Sequence, residues 1–243
     1  MRNYKEEFEL RVSFIKNLLQ KTGAKGVIFG NSGGKDCALV GILAKAACEN
    51  TIGVIMPCSS KRNYEEDFRD GKEVADKFGI ETRVVDITPI KEGMVKQIEN
   101  ATTPTPLALA NINPRIRMTT LYSIAASENL LVAGTGNRSE RYMGYFTKWG
   151  DGGCDFNPIS DLTVREVYEF LEYLDAPMAV RTKAPSAALF EGQTDEDEMG
   201  ITYKALDDYL LTGIATPEDK AKIESAHART AHKRVMPTVY KED

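Results

Sequence analysis

The stretch at residues 25–47, KGVIFGNSGGKDCALVGILAKAA, constrains this chain more than any other. Val27, Ile28 and Phe29 form a short apolar, β-rich run that stops at Gly30. Ser32, Gly33 and Gly34 then open a segment in which Ala38, Leu39, Ile42, Leu43 and Ala46 recur at helical spacing. A strand, a glycine turn and a helix in that order leave free backbone N–H groups at the helix start, where the helix dipole favours an anion. Glycines there let the backbone approach that anion closely. Asp36 breaks the pattern, because a carboxylate at a phosphate site repels its ligand. It fits if it holds a divalent cation whose other ligands are phosphate oxygens. The GxxxxGK[ST] loop is absent, since no Gly-Lys-Ser/Thr follows. The plainer alternative is a strand-to-helix turn capped by Ser32.

The rest of the chain repeats the alternation. Residues 4–21 place Phe8, Val12, Ile15, Leu18 and Leu19 on one face, which predicts an amphipathic helix ending near Gly23. A second strand is expected over 51–57, a charged helix over 63–78 closed by Gly79, and a third strand over 81–87. A helical stretch near 90–100 follows, then a break at Thr103-Pro104-Thr105-Pro106. Residues 107–128 read as mostly helical, with Pro114 limiting the regular run, and 130–133 as a fourth strand ending at Gly134-Thr135-Gly136. Alternating strands and helices predict an α/β fold of three layers, a twisted parallel sheet with helices on both faces. Ligands then bind at the carboxyl ends of the strands. Three polar segments meet there on paper: 31–36, 58–61 and 134–140.

Beyond residue 144 the pattern changes. Residues 147–160 are too glycine-rich and polar for regular structure. A helix is expected over 161–174, a long acidic loop over 181–200, and two helices over 203–212 and 217–232 before a tail with Pro237. A structureless stretch as long as 181–200 in a compact domain is usually functional or mobile. With 243 residues and 42% hydrophobic content, the chain is expected to form one large domain, 1–243, rather than two small ones.

The net charge of −5, with charges interspersed, gives no general attraction to nucleic acid or an anionic membrane. No apolar run reaches the length of a membrane span and the N-terminus has no signal core, so a cytoplasmic location is expected. Cys37, Cys48, Cys58 and Cys154 show no metal-like spacing and the chain has only two histidines, which argues against zinc and for reduced thiols.

The loop SGGKD resembles that of the ATP pyrophosphatase group, enzymes that split ATP into AMP and pyrophosphate. A second stretch, GTGNRSERYMGYFTKWGDGGCD, together with KAPSA and EGQTDEDE, extends the resemblance to the ammonia-dependent NAD synthetase family over roughly residues 5–240. That resemblance implies an adenine nucleotide α-hydrolase-like, Rossmann-like fold and a homodimer. It also implies amidation of deamido-NAD by ammonia, with ATP and magnesium, to give NAD, AMP and pyrophosphate. Position by position, it assigns Gly30, Asn31, Ser32, Gly33, Gly34, Lys35, Asp36 and Cys37 to ATP, together with Thr135 and Ser186. It assigns Asp36 and Glu140 to magnesium, and Arg115, Lys148, Asp155, His232 and Lys233 to deamido-NAD. Two positions depart from the family pattern. Cys37 replaces the usual serine, and Val164, with Arg165 beside it, stands where a lysine is usual.

The chemistry accounts for these residue types. A nicotinate carboxylate is a poor electrophile, and attack on the α-phosphate of ATP converts it to an acyl-adenylate. The departing pyrophosphate needs amides at a helix N-terminus and a hard cation held by carboxylates. Arg115 and Lys148 can offset substrate charge. Ammonium must lose a proton before it attacks, and Asp151 in the glycine-rich loop is the candidate acceptor. Each residue also has a plainer role. Glu140 can be a first-turn helix acid, Arg115 and Arg117 surface charges, Asp195 to Glu198 a solvated acidic tip, and His227 a helix-surface residue. Two other functions compete: an adenylating enzyme for a nucleobase or tRNA, and a non-enzymatic ATP sensor. A tRNA enzyme would favour a basic surface, and a sensor has less need of two metal-ligand carboxylates. No segment is left for a glutaminase domain.

Overall fold

The computed structural model describes residues 2–58, 63–183 and 195–240. Helix α1 (Tyr4–Thr22) is capped by the Asn3 side chain and closed by Gly23 in the left-handed region, as its amphipathic pattern predicts. Strand β1 (Gly26–Gly30), helix α2 (Lys35–Ala47) and strand β2 (Thr51–Ile55) follow. Residues 63–67 form a wide turn that leads into α3 (Phe68–Phe78), so the expected 63–78 helix is regular only beyond its first turn. Strand β3 (Glu81–Val84) is shorter than the expected 81–87 run. Beyond it, Val85 and Ile87 still donate to the Ile55 and Pro57 carbonyls.

Helix α4 (Thr88–Glu99) is followed by α5 (Pro106–Ala110) and α6 (Ile112–Glu128). The break in the expected 107–128 helix falls at Asn111, and Pro114 sits in the first turn of α6, where its missing N–H costs nothing. Strand β4 (Leu130–Val132), α7 (Arg138–Met143) and α8 (Val164–Tyr173) come next. The expected acidic loop is partly helical among the described residues. Helix α9 (Met178–Thr182) covers its start, and α10 (Asp195–Met199) takes up the acidic run as the negative N-terminal turn of a helix. Helices α11 (Tyr203–Thr212) and α12 (Pro217–Arg229) close the fold, and a 3₁₀ turn at Ala231–Lys233 follows them.

The strands are all parallel, in the order β3-β2-β1-β4. Val27 and Phe29 face one side, against Ile15 of α1, Leu39 and Leu43 of α2 and Phe170 of α8. Ile28, Ile52, Val54 and Val132 face the other, against Ile116, Leu121 and Ala125 of α6. The period of two along β1 therefore places it between two apolar layers, and this is the expected three-layer architecture. Gly41 lets α2 lie close on the sheet, since a Cβ there would stand 2.5 Å from the Phe29 ring. A third cluster, with Met143, Val164, Tyr203, Leu206 and Ile223, welds α7 and α8 to the C-terminal helices beside the carboxyl ends of the strands. Among the described residues no helix is long and apolar enough to cross a membrane.

Candidate active site

The loop after β1 is held from beneath. The Asn31 amide donates to the Val54 carbonyl (2.8 Å), and the buried Asn31 side chain donates to the Gly71 carbonyl of α3 (3.0 Å). Gly33 has φ of +69°, and a Cβ there would lie 2.4 Å from the Asp67 carbonyl oxygen, so this turn requires glycine. The N-cap of α2 is Gly34, with no capping side chain, so Ser32 is not the helix cap considered from sequence. The Ser32 hydroxyl instead lies 3.4 Å from the Cys37 sulfur. The first amides of α2 thus keep their donors for a ligand, as an anion cradle requires. Cys37 is buried, its thiol donates to the Gly34 carbonyl at 3.1 Å, and burial pushes its pKa up.

Two acids from separate strand ends meet at this helix start. Asp36 comes from the first turn of α2, and its Oδ1 accepts from the Asn137 side chain at 3.0 Å. Glu140 comes from α7, where it completes a capping box with Asn137, its Oε2 accepting from the Asn137 amide at 3.1 Å. Buried Lys35 lies between them, with Nζ 2.6 Å from Asp36 Oδ2 and 3.9 Å from Glu140 Oε1. Burial alone would lower the Lys35 pKa, but the two carboxylates more than offset it and hold it above its usual range. Burial and the Asp36 charge push the Glu140 carboxyl up to about 8. The first-turn role of Glu140 and a ligand role are compatible, because the capping box engages one oxygen and the other faces Lys35.

This donor set fits magnesium. Two carboxylates from different elements, one strained toward protonation, offer hard oxygens and an excess of negative charge that a divalent cation relieves. Among the described residues no third His, Cys, Asp or Glu joins them in a cage, and water or phosphate oxygens would serve a hard cation as further ligands. Tyr203 and Tyr168 wall the site, their rings 5.9 and 6.0 Å from Lys35 Nζ. The Tyr203 hydroxyl donates to buried Asp195 (3.0 Å), which also accepts from Tyr145 (3.2 Å). Thr135 lies half-buried in the turn beyond β4, where Gly134 donates to the Phe156 carbonyl at 2.7 Å.

A second group of predicted residues gathers around the 144–149 turn. Arg115 of α6 reaches the Lys148 carbonyl at 3.4 Å, and Lys148 Nζ donates to the His232 carbonyl at 2.7 Å. Lys233 Nζ donates to the carbonyls of Gly144 and Phe146, both at 2.7 Å, and burial lowers its pKa. The C-terminal 3₁₀ turn is thereby clasped to this loop, with His232 itself exposed. Asp155 is exposed and doubly engaged, accepting from Tyr122 (3.0 Å) and from the Val132 amide on the β4 edge (2.8 Å). Asp151 accepts from the Thr147 amide at 2.9 Å across its own turn. Ser186 lies outside the described residues.

Several side chains belong to the site without having been singled out for it. Arg117 is no surface charge: its Nε and Nη2 both donate to the Met56 carbonyl beyond β2, at 3.2 and 3.1 Å. Asn137 orients both Asp36 and Glu140. Lys183 bridges Asp67 and Asp70, each at 2.8 Å, and so pins the chain just before 184–194 to α3. The pattern N-x-x-E at a helix start could have flagged the capping box of Asn137 and Glu140, but nothing local marks Arg117 or Lys183. Arg165 is turned away to Asp208 of α11 at 2.5 Å, and Val164 is buried in the third cluster. His227 is half-buried and stacked on Tyr142, with ring centroids 3.9 Å apart.

The sequence matches the NAD synthase family over residues 7–242. An NH(3)-dependent NAD(+) synthetase of Carboxydothermus hydrogenoformans is 47% identical, with 98% of each chain covered. Among solved structures, an NMN synthetase of Francisella tularensis is 34% identical with a TM-score of 0.93, covering 98% of this chain and 99% of its own. An NH3-dependent NAD synthetase of Campylobacter jejuni is 31% identical with a TM-score of 0.80, covering 99% and 100%. The uncapped glycine loop, the acids facing each other beside it and these matches along nearly the whole sequence lead to one conclusion: the chain belongs to the NAD synthase family.

Proposed function

We propose that the protein forms the amide of NAD, using ATP to activate the nicotinate carboxylate of deamido-NAD and ammonia to displace the activated oxygen. The observation that carries this reading is the meeting of Asp36 and Glu140 across Lys35 at the uncapped start of α2. A site for pyrophosphate release needs that combination of amides, buried cation and hard oxygen ligands.

The α2 amides and Lys35 hold the β- and γ-phosphates. A carboxylate oxygen of the substrate bonds to the α-phosphorus as the bond from that phosphorus to pyrophosphate breaks, giving an acyl-adenylate. Asp36 and Glu140 would hold magnesium, which when bound neutralises charge developing on the departing pyrophosphate. Thr135 and Ser186 contact the nucleotide. Ammonia nitrogen then bonds to the acyl carbon as the carbon–oxygen bond to AMP breaks, and Asp151 accepts the proton that the nitrogen sheds. Arg115, Lys148, Asp155, His232 and Lys233 hold the dinucleotide, and Arg117 offsets phosphate charge at the end of β2. The working unit is a homodimer of a single synthetase domain in the cytoplasm.

A second reading concerns the substrate alone. The fit to the Francisella NMN synthetase (TM-score 0.93) is tighter than that to the Campylobacter NAD synthetase (0.80). In this chemistry, making NMN means amidating nicotinate mononucleotide. The 47% identity to the Carboxydothermus enzyme favours deamido-NAD. Initial rates with each substrate at equal ATP, magnesium and ammonium decide between them. A higher kcat/KM for deamido-NAD supports the first reading, and a higher value for the mononucleotide replaces it with the second.

A further inference from the structure

A second cleft, of about 420 Å³, opens between α7, the turn at Ser160–Asp161 and the C-terminal segment. Its volume is that of a small-molecule site. Arg138, Arg141 and Tyr142 line it from α7, at spacings of three and four residues that share a helix face, while Glu140 does not line it. Arg2 and Arg234 join them from the two ends of the chain.

The charge on this wall is not balanced by the protein. Asp161 is its one carboxylate and is already paired with Arg2 (3.0 Å) and Arg11 (2.7 Å). Arg138 bonds to a carbonyl, that of Leu210, at 3.0 Å. Arg234 donates to the Thr230 hydroxyl (2.9 Å) and to the carbonyls of Arg141, Tyr142 and His227. The Arg141 guanidinium is exposed and makes no hydrogen bond or ion pair among the described residues, and its charge acts repulsively on Arg234. Three arginines without a carboxylate partner thus line one concavity, in a chain of net charge −5. The stacked rings of Tyr142 and His227 give the cleft a flat wall, fixed by a 2.9 Å bond between His227 Nδ1 and the Tyr142 carbonyl.

We propose that this cleft is a second binding site, for a small phosphate-bearing anion held by Arg138, Arg141 and Arg234. Guanidinium forks match phosphate oxygens in pairs, and several of them together call for a ligand of more than one negative charge. A concave site on an acidic protein suits a small anion rather than a polymer.

Titration calorimetry with inorganic pyrophosphate, and separately with ribose 5-phosphate, tests this on the intact protein in metal-free buffer. Without magnesium the acids beside α2 discourage pyrophosphate there, and any residual binding at that loop is common to wild type and variant. Wild type should bind one or both probes saturably, and Arg141→Gln should weaken that binding by about tenfold or more. The pyrophosphate arm reports a free inorganic anion, and the ribose 5-phosphate arm a phosphate ester. Because Arg141 makes no internal bond, the variant should keep its melting temperature and its amide-forming rate without added anion. Arg141→Lys carries the same comparison if the glutamine variant unfolds. No saturable binding of either probe by wild type, or equal binding by the variant, overturns the proposal.

Discussion

Lys35 Nζ lies 2.6 Å from Asp36 Oδ2 and 3.9 Å from Glu140 Oε1, so a single buried ammonium balances acids that arrive from two different strand ends. Removing one partner of such a buried set leaves uncompensated charge, at a cost of about 3 kcal/mol. Lys35→Met should therefore lower metal-free stability by that order. Millimolar magnesium should narrow the deficit, because a divalent cation takes over the balancing of the two acids. Denaturant melts with and without magnesium check this, and a deficit that magnesium leaves unchanged contradicts the metal-site assignment.

Glu140→Gln separates fold from function. Glutamine keeps the capping box with Asn137. The Glu140 carboxyl is raised from 4.5 to about 8, so in metal-free protein the unfolded chain sheds this proton at lower pH than the folded one. Stability then falls as pH climbs from about 4.5 through 8. The variant escapes that fall and should be more stable than wild type at pH 8 by about 1–3 kcal/mol, with the gap closing toward pH 5. Its turnover should be lost, since a neutral amide is a weaker magnesium ligand. Melts across pH, with an assay at limiting magnesium, give both readouts.

The parallel sheet, the two-sided core and the glycine loop were legible in the chain because each is a local pattern. Val27 to Phe29 has the strand signature, α2 has helical spacing, and Gly33 and Gly34 mark the turn. What lay hidden depends on contacts between distant residues. Arg117 looks like a helix-surface charge until α6 packs with its guanidinium on the Met56 carbonyl. The acidic run at 195–198 looks solvated until α10 and α11 bring Asp195 under Tyr145 and Tyr203. No local pattern marks the break at Asn111, because Pro114, the obvious breaker, is well tolerated in a first helical turn.

Cys37→Ser should be tolerated. The buried thiol donates to the Gly34 carbonyl, and a hydroxyl can make the same bond. Activity should stay within tenfold of wild type, about 1.4 kcal/mol of transition-state stabilisation. A larger loss in steady-state kcat/KM would mean that sulfur itself shapes the loop.

Lys148 and Lys233 fasten the 144–148 turn to the C-terminal 3₁₀ turn through carbonyl contacts. Lys148→Ala should raise KM for the dinucleotide about tenfold and leave KM for ATP within about twofold. Equal changes in both constants would show that the clasp supports the whole site rather than the dinucleotide side.

The proposed reaction takes its nitrogen from ammonia and releases AMP with pyrophosphate. Among the described residues the His227 ring bonds to the Tyr142 carbonyl rather than to a thiol. The most direct measurement incubates purified protein with ATP, magnesium, deamido-NAD and either ammonium or ammonia-free glutamine, and quantifies NAD, AMP and pyrophosphate together. Equimolar NAD, AMP and pyrophosphate are expected with ammonium, with a rate that rises with pH at fixed total ammonium, and little product is expected with glutamine. ADP and phosphate in place of AMP and pyrophosphate, or a glutamine rate equal to that with ammonium, would contradict the proposed reaction.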